Sequence, residues 1–296
     1  MTTALRSPAP IGYNGRPFSL LLRCSMADLP LLLEPQALSE QLDNPNLLII
    51  DLCSSDSYAR GHVPGAIWMD PARLQRGSGP VPNKLPNADQ LSQLFSELGL
   101  TATSHVIAYD DQLGALAGRL IWTLDIVGHR HSSVIHGQLP AWIGAGLALE
   151  QQPNSATPST FVAEINESLV ADIPYILEHL DDEQVAIWDA RSAEEYRGDK
   201  VVNAAKGGHI PGAIHFEWTS SLRGLQDWRL QDLEAIRRHL DSLGLGSDKT
   251  VVTHCQTHRR SGLTYLIAKA LGYPDIRCYD GSWFEWGNHP DTPVER

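Results

Sequence analysis

Short apolar runs alternate with stretches of helical periodicity along most of the chain. Residues 251–253 form a continuous apolar and β-branched run, typical of a strand buried on both faces of a parallel sheet. The apolar residues that follow recur at helical spacing: Leu263, Leu266, Ile267, Ala270 and Leu271. Gly272 then stands where a helix C-cap is expected. Repeated in this order, the elements predict an α/β fold in which helices cover both faces of a parallel sheet.

The pattern occurs twice. An apolar run ending in Asp51 leads through SSDSYAR to GHVPGAI, and a run ending in Asp189 leads through RSAEEYR to GHIPGAI. Later, ELGLTATSHVIAYD matches SLGLGSDKTVVTHC, and VGHRHSSVIHGQLPAW matches LGYPDIRCYDGSWFEW. Matching segments in matching order indicate a duplicated domain. The second copy carries an insertion, GDKVVNAAK, before its GHIPG.

These matches define the predicted domain limits. We expect a flexible N-terminal extension over residues 1–25, a first domain over 26–150, a linker over 151–168 and a second domain over 169–296. The linker begins with QQPNSATPST, whose Pro, Ser and Thr content is typical of a connection. The extension has too short an apolar patch for a secretory signal peptide.

Composition narrows the function classes. The chain is 42% hydrophobic and 20% charged, as in globular proteins with a real core, and no apolar run approaches the roughly 18 residues that cross a bilayer. A net charge of −12 argues against nucleic acid as a general partner. The four cysteines lie far apart without a C-x-x-C pair, which predicts reduced thiols, no metal site and a cytoplasmic location.

One of these cysteines lies in a strongly basic segment, VVTHCQTHRRSG. Cys255 follows the predicted strand and precedes the predicted helix, where free backbone N–H groups and the helix dipole favour an anion. Arg259 and Arg260 add permanent positive charge. Such surroundings lower a thiol pKa, so we predict that Cys255 is a nucleophile that meets an anionic substrate.

The first copy serves as an internal control. It has AYDDQLGALAG where the second has THCQTHRRSG, so Asp110 takes the place of Cys255 and neither arginine has a counterpart. A buried carboxylate is not the nucleophile that a thiolate is. We therefore predict that the first domain is a non-catalytic partner that covers one side of the second.

The duplicated G-H-[VI]-P-G-A-I, the CQTHRR loop and the terminal YDGSWFEW together resemble the rhodanese family, specifically tandem-domain thiosulfate sulfurtransferases with a bacterial-type loop. The resemblance covers residues 26–296. It implies two domains, each a five-stranded parallel sheet flanked by helices, of which only the second is catalytic. It also implies ping-pong transfer of sulfur from thiosulfate to cyanide or another thiophilic acceptor through a Cys255 persulfide, without a cofactor.

The resemblance also assigns roles to single residues. Cys255 is the catalytic nucleophile, and Arg191, Arg260 and Arg259 are the candidate substrate-binding residues, although Arg259 could instead be a solvent-facing steering charge. The backbone N–H groups that would hold the persulfide belong to Gln256, Thr257, His258, Arg259, Arg260 and Ser261. We expect the side chain of His258 to be exposed.

Three alternatives remain open. The donor could be 3-mercaptopyruvate, but enzymes of that kind carry a smaller loop, C-G-[SA]-G-[VI]-T, than this basic one. Phosphatase or arsenate-reductase chemistry needs Cys-x5-Arg, whereas Ser261 stands at that position here. The domain could also be a carrier that holds persulfide or selenium for a partner enzyme.

Overall fold

The computed structural model describes residues 29–296, in which two parallel sheets follow each other along the chain. The predicted extension 1–25, with Cys24, lies outside the described residues. Within the described part, no helix is long and apolar enough to cross a membrane.

The first sheet has five parallel strands in the order β1-β5-β4-β2-β3. Its strands are β1 (Leu32–Leu33), β2 (Leu47–Asp51), β3 (Ile67–Trp68), β4 (His105–Tyr109) and β5 (Ser132–Ile135). Its helices are α1 (Pro35–Ser39), α2 (Ser55–Arg60), α3 (Ala88–Glu97), α4 (Ala115–Ile126) and α5 (Gln138–Gly144). A 3-10 turn spans Pro71–Leu74.

The second sheet repeats this topology as β6-β10-β9-β7-β8. Its strands are β6 (Val170–Ala171), β7 (Val185–Asp189), β8 (Ile214–His215), β9 (Thr250–His254) and β10 (Ile276–Tyr279). Its helices are α6 (Ile173–Glu178), α7 (Ala193–Arg197), α8 (Leu233–Leu243), α9 (Arg260–Ala270) and α10 (Ser282–Trp286), and 3-10 turns span Glu167–Leu169 and Trp218–Ser221. The predicted fold class, with two five-stranded parallel sheets, is confirmed.

The segment between the sheets packs against the first domain. Phe161 lies edge-on against Phe95 of α3, with ring centroids 5.5 Å apart. The hydroxyl of Ser159 donates a hydrogen bond to the carbonyl of Leu100. The limits at residues 26, 150 and 168 stay predictions.

The two G-H-[VI]-P-G-A turns are built alike. His62 stacks on Tyr58 and its Nδ1 lies 2.9 Å from that residue's carbonyl oxygen. His209 stacks on Tyr196 with the same 2.9 Å contact. Since the motif has one geometry in both copies, these histidines maintain the turn.

The two domains meet where α4 and α9 cross. A Cβ atom added to Gly118 would collide with the carbonyl of Gly262, and one added to Gly262 would collide with the α4 backbone. Away from this point, Lys269 of α9 forms an ion pair with Asp125 of α4 at 2.6 Å. Only glycine permits this close approach, which brings the start of α4 beside the start of α9.

Candidate active site

The predicted nucleophile lies at the carboxyl end of the central strand of the second sheet. β9 runs between β10 and β7, Cys255 follows it directly, and α9 begins at Arg260. The carboxyl ends of such strands are where open α/β sheets bind their ligands. The structure therefore has the strand–loop–helix arrangement predicted around Cys255.

The Cys255 thiol is fully buried in a ring of donors and positive charge. Burial alone would raise the pKa of this thiol, but the charge of Arg260 opposes it. The hydroxyl and N–H of Ser261 and the N–H of Thr257 add hydrogen bonds to the sulfur. The net effect lowers the pKa of Cys255 below its ordinary value, so the thiolate is favoured.

The other described cysteines have the opposite electrostatics. Burial raises the pKa of Cys53, and the carboxylate of Asp51 raises it further. Burial likewise raises the pKa of Cys278, on β10. All three of these thiols are free, and among the cysteines of residues 29–296 only Cys255 has a lowered pKa.

Arg260 is held in place by a residue that the sequence analysis missed. Its Nη1 and Nη2 donate to the two carboxylate oxygens of Glu195, at 2.6 and 2.9 Å. The Glu195 side chain is only 6% exposed and belongs to α7, where it also closes a capping box with Ser192. Burial opposes ionisation of Glu195, but the bonds from Arg260 lower its pKa. The S-A-E-E spacing is a capping-box signal, but it gave no indication of this partner.

Arg191 is buried beside the loop and bonded to its own strand. Its Nε donates to both carboxylate oxygens of Asp189, at 2.9 and 3.0 Å, and its Nη2 donates to the carbonyl of Gly208 at 2.8 Å. Its guanidinium lies over the ring of Trp283, 4.3 Å from the centroid. Its Nη1 donates no hydrogen bond to any residue in the described range. The predicted substrate contact of Arg191 stays a prediction, and Nη1 is the donor left for it.

The two consecutive arginines point in different directions. Arg260 interacts with the sulfur of Cys255, whereas Arg259 is exposed and its Nη2 donates to the side-chain oxygen of Gln112 in the first domain. A cavity of about 470 Å³ between Arg259 and the first domain is also lined by Trp68 and Asp70. Arg259 thus lies at the domain junction, and its substrate contact stays a prediction.

The expectation that the His258 side chain is exposed was wrong. The ring is fully buried and lies edge-on against Trp122 of α4, with centroids 4.4 Å apart. Its Nδ1 lies 2.8 Å from the hydroxyl of Ser261, which bonds to the sulfur of Cys255. Burial, reinforced by the charge of Arg119, holds the pKa of His258 well below its ordinary value. The sequence could not show this because both neighbours from α4 belong to the other domain.

Backbone N–H groups from outside the Cys255 loop bond to the carbonyls of that loop. The N–H of Trp283 donates to the carbonyl of Cys255 at 3.0 Å, and that of Phe284 donates to the carbonyl of Gln256 at 2.9 Å. These donors belong to α10, so the YDGSWFEW segment supports the loop. The Gln256 side chain in turn donates to the carbonyl of Val202, inside the second domain's insertion. No group of three metal-ligating side chains occurs among the described residues.

The corresponding loop of the first domain encloses a carboxylate. Asp110 is fully buried and accepts four backbone N–H bonds of 2.8 to 2.9 Å. The donors are Gln112, Gly114, Leu116 and Ala117. Burial raises the pKa of Asp110 although these bonds oppose it. The side chain itself fills the ring, so this loop offers no nucleophile.

Comparison with known proteins agrees with the duplicated architecture. A model of the rhodanese-like domain matches residues 34–145 and again 173–289. Over 269 residues, the chain is 47% identical to a thiosulfate sulfurtransferase of Azotobacter vinelandii, which covers 91% of this chain and 98% of that protein. It is 46% identical, with the same coverage, to a thiosulfate sulfurtransferase of Pseudomonas aeruginosa.

The fold also matches solved structures. The crystal structure of SseA from Escherichia coli, described as a 3-mercaptopyruvate sulfotransferase with the rhodanese fold, superposes with a TM-score of 0.76 at 27% identity, covering 86% of this chain and 99% of that one. The family model spans most of both halves. The chain therefore belongs to the rhodanese family.

Proposed function

We propose that this protein is a thiosulfate sulfurtransferase in which Cys255 carries the sulfur. The observation that supports this role is the contrast among the described thiols: Cys255 alone has a lowered pKa and a permanent cation beside its sulfur. The relatives named for this activity cover nearly the whole chain.

The first half-reaction loads the enzyme. The Cys255 thiolate attacks the outer sulfur of thiosulfate, a new S–S bond forms, and the S–S bond within thiosulfate breaks. Sulfite leaves with the electron pair of the broken bond, and Cys255 becomes a persulfide with one negative charge. Arg260 and the Nη1 of Arg191 provide positive charge for the dianionic donor.

The second half-reaction returns the thiolate. The lone pair of a thiophilic acceptor, such as cyanide carbon, attacks the outer sulfur of the persulfide. The bond to the Cys255 sulfur breaks with its electron pair, so thiocyanate leaves and the thiolate is restored. Between the two steps, the backbone N–H groups of residues 256–261 hold the persulfide's charge as an oxyanion hole holds oxygen. No proton or external redox partner is needed in either step.

The loop favours thiosulfate over 3-mercaptopyruvate as the donor. Thr257 is only partly buried, and the fully buried His258 ring fills space beside the loop. Arg260 places a full positive charge near the sulfur. A compact, doubly charged donor gains more from this charge than a larger monoanionic keto acid does.

The test is steady-state thiocyanate formation from thiosulfate and cyanide, with 3-mercaptopyruvate as a parallel donor. We expect Cys255→Ala to abolish turnover with thiosulfate, at least about 1,000-fold, because the covalent step has no substitute nucleophile. The matched control is Cys53→Ala, which removes a buried thiol of raised pKa in the first domain. That variant should retain turnover.

Three results would change the proposal. A preference of the wild-type protein for 3-mercaptopyruvate would overturn the choice of donor. Retained turnover in Cys255→Ala would overturn the choice of nucleophile. Persulfide formation without turnover to any small acceptor would indicate that the protein is not an enzyme for small acceptors but a carrier that delivers sulfur to a partner protein.

A further inference from the structure

One arginine of the first domain bonds directly to the catalytic loop of the second. Arg119, on α4, donates from Nη1 to the carbonyls of His258 and Thr257, at 2.9 and 3.3 Å. Its Nε and Nη2 donate to the carbonyl of Leu74, and Nη2 also donates to that of Asn83. All five N–H bonds of the guanidinium therefore end on backbone carbonyls.

This arginine is buried without a carboxylate at ion-pair distance. Its exposure is 1%, and it forms no ion pair with any residue from 29 to 296. Burying an unpaired charge is costly, so its backbone partners must compensate. Burial lowers the pKa of Arg119 to about 10, with the charges of Asp280 and Cys255 opposing, so it remains a cation at neutral pH. An apolar side chain here would leave the carbonyls of Leu74, Asn83, Thr257 and His258 without these donors, so the guanidinium does more than fill space.

Through the geometry of the trans peptide, the bonds from Arg119 to the carbonyls of Thr257 and His258 determine where the next N–H groups point. In each trans peptide unit the C=O and the next residue's N–H point in opposite directions. The carbonyl of Gln256 is bonded on the outside by Phe284, and the N–H of the same peptide, on Thr257, does bond the Cys255 sulfur. By the same rule, bonding the carbonyls of Thr257 and His258 on the outside turns the N–H groups of His258 and Arg259 inward.

The backbone at His258 needs such support. Its φ is +52°, in the left-handed region that residues other than glycine adopt only against steric strain. Arg119 bonds its carbonyl, Trp122 packs against its ring, and Ser261 contacts its Nδ1. Two of these three supports come from α4 of the first domain.

We infer that Arg119 is a positioning residue for sulfur transfer: it holds the peptide groups of residues 257–259 with their N–H bonds directed at the Cys255 sulfur. The non-catalytic domain thus completes the persulfide site. The cation also polarises the two peptide groups that it binds, which strengthens their N–H groups as donors. This role deepens the proposed function and rests on Cys255 as its nucleophile.

The test compares two variants at the same domain interface. Arg119→Met removes the guanidinium, and the matched control Lys269→Met removes another α4–α9 contact, the ion pair with Asp125, away from the loop. The measurements are the pH dependence of Cys255 alkylation by iodoacetamide, kcat/KM for thiosulfate, and Tm. The side chains whose charge acts on the Cys255 thiol are Arg260, Arg119 and Cys278. The titratable rings of His254 and His258 belong to the same strand end and loop.

We expect Arg119→Met to raise the alkylation midpoint by about one pH unit and to lower kcat/KM about 10- to 100-fold. Lys269→Met should lower Tm without moving the midpoint. A folded Arg119→Met protein with the wild-type midpoint would overturn the inference, as would an equal shift in Lys269→Met.

Should Arg119→Met fail to fold, Arg119→Lys replaces it. Lysine keeps the charge but has at most three donors, so the inference predicts a smaller upward shift of the midpoint, and no shift would overturn it. The alkylation profile needs no sulfur donor. If the wild-type protein does not turn over thiosulfate while the midpoint still shifts, the proposed function fails, but the role of Arg119 in directing the loop's N–H groups at the Cys255 sulfur stands.

Discussion

After the central strand of each sheet, a loop turns backbone N–H groups toward one buried side chain, and the two loops differ in that side chain. In the first domain Asp110 accepts four of these bonds from its own loop. In the second domain the sulfur of Cys255 receives the N–H groups of Thr257 and Ser261. The first ring is filled by a carboxylate, whereas the second surrounds the thiol that we propose gains and loses a sulfur atom.

The side chains around the two rings also differ in charge. Cys53 occupies the position after β2 that Arg191 occupies after β7, and each backbone N–H bonds the strand's terminal carboxylate. Asp51 receives a hydrogen bond from Tyr109 at 2.5 Å, whereas Asp189 lies 3.6 Å from His254. The loop over residues 110–114 of the first domain therefore has the anion-binding backbone but carries no arginine or lysine of its own. The corresponding segment of the second domain carries Arg259 and Arg260.

Removing Arg260, the cation that interacts with the Cys255 sulfur, should reduce the difference between the two loops most. Arg260→Met should lower kcat/KM for thiosulfate about 100-fold, since it removes a preorganised charge and leaves the buried Glu195 carboxylate without its cation. Because Arg260 lowers the pKa of Cys255, activity in the wild type should fall only as the pH drops through that lowered value. In the variant the fall should begin at a higher pH. A pH–rate profile identical to wild type would contradict the electrostatic account.

A smaller effect is expected from the partner of that cation. Glu195→Gln keeps the shape of the side chain but loses the charged pair with Arg260, so the guanidinium is held less firmly. We expect kcat/KM to fall about tenfold, because the cation is less well positioned. The alkylation midpoint of Cys255 should not rise, since the cation is still present. A rise as large as that in Arg260→Met would show that Glu195 acts in another way.

Replacing Asp110, the carboxylate inside the ring of the first domain, should have the smallest effect on turnover. Asp110→Asn leaves one side-chain oxygen for four backbone N–H groups, and its amide group meets donors where it needs acceptors. The free energy of unfolding should fall by about 1–3 kcal/mol, while kcat/KM stays near the wild-type value. Denaturant unfolding and thiocyanate formation measure the two quantities. A large loss of turnover in a folded Asp110→Asn protein would give the first ring a catalytic role.

The fold followed from local and repeated features of the sequence. The strand before Cys255 and the helix closed by Gly272 lie where the apolar pattern predicted them. The matched order of segments gave two sheets of one topology. These features are local or internally duplicated, and hydrophobic periodicity encodes them directly.

The residue pattern alone could predict the site only as far as its residues are neighbours in the chain. Cys255, Arg260 and Ser261 were predicted because one turn of loop and helix brings them together, whereas Arg191 was predicted from the family resemblance. Glu195 and Arg119 were missed because they reach the loop from α7 and from the other domain. The one available signal was Arg119 itself, a charge within the apolar helix ALAGRLIWTLDI, which had to find buried partners.

The central claim, that one ring holds a transferable sulfur and the other does not, is tested most directly by intact-protein mass spectrometry after exposure to thiosulfate, followed by peptide mapping. The account predicts a gain of one sulfur atom on Cys255 in the wild type and in Cys53→Ala. Cyanide should remove this sulfur, and Cys255→Ala should gain none. Sulfur found on Cys53 or Cys278, or no gain in the wild type, would contradict it.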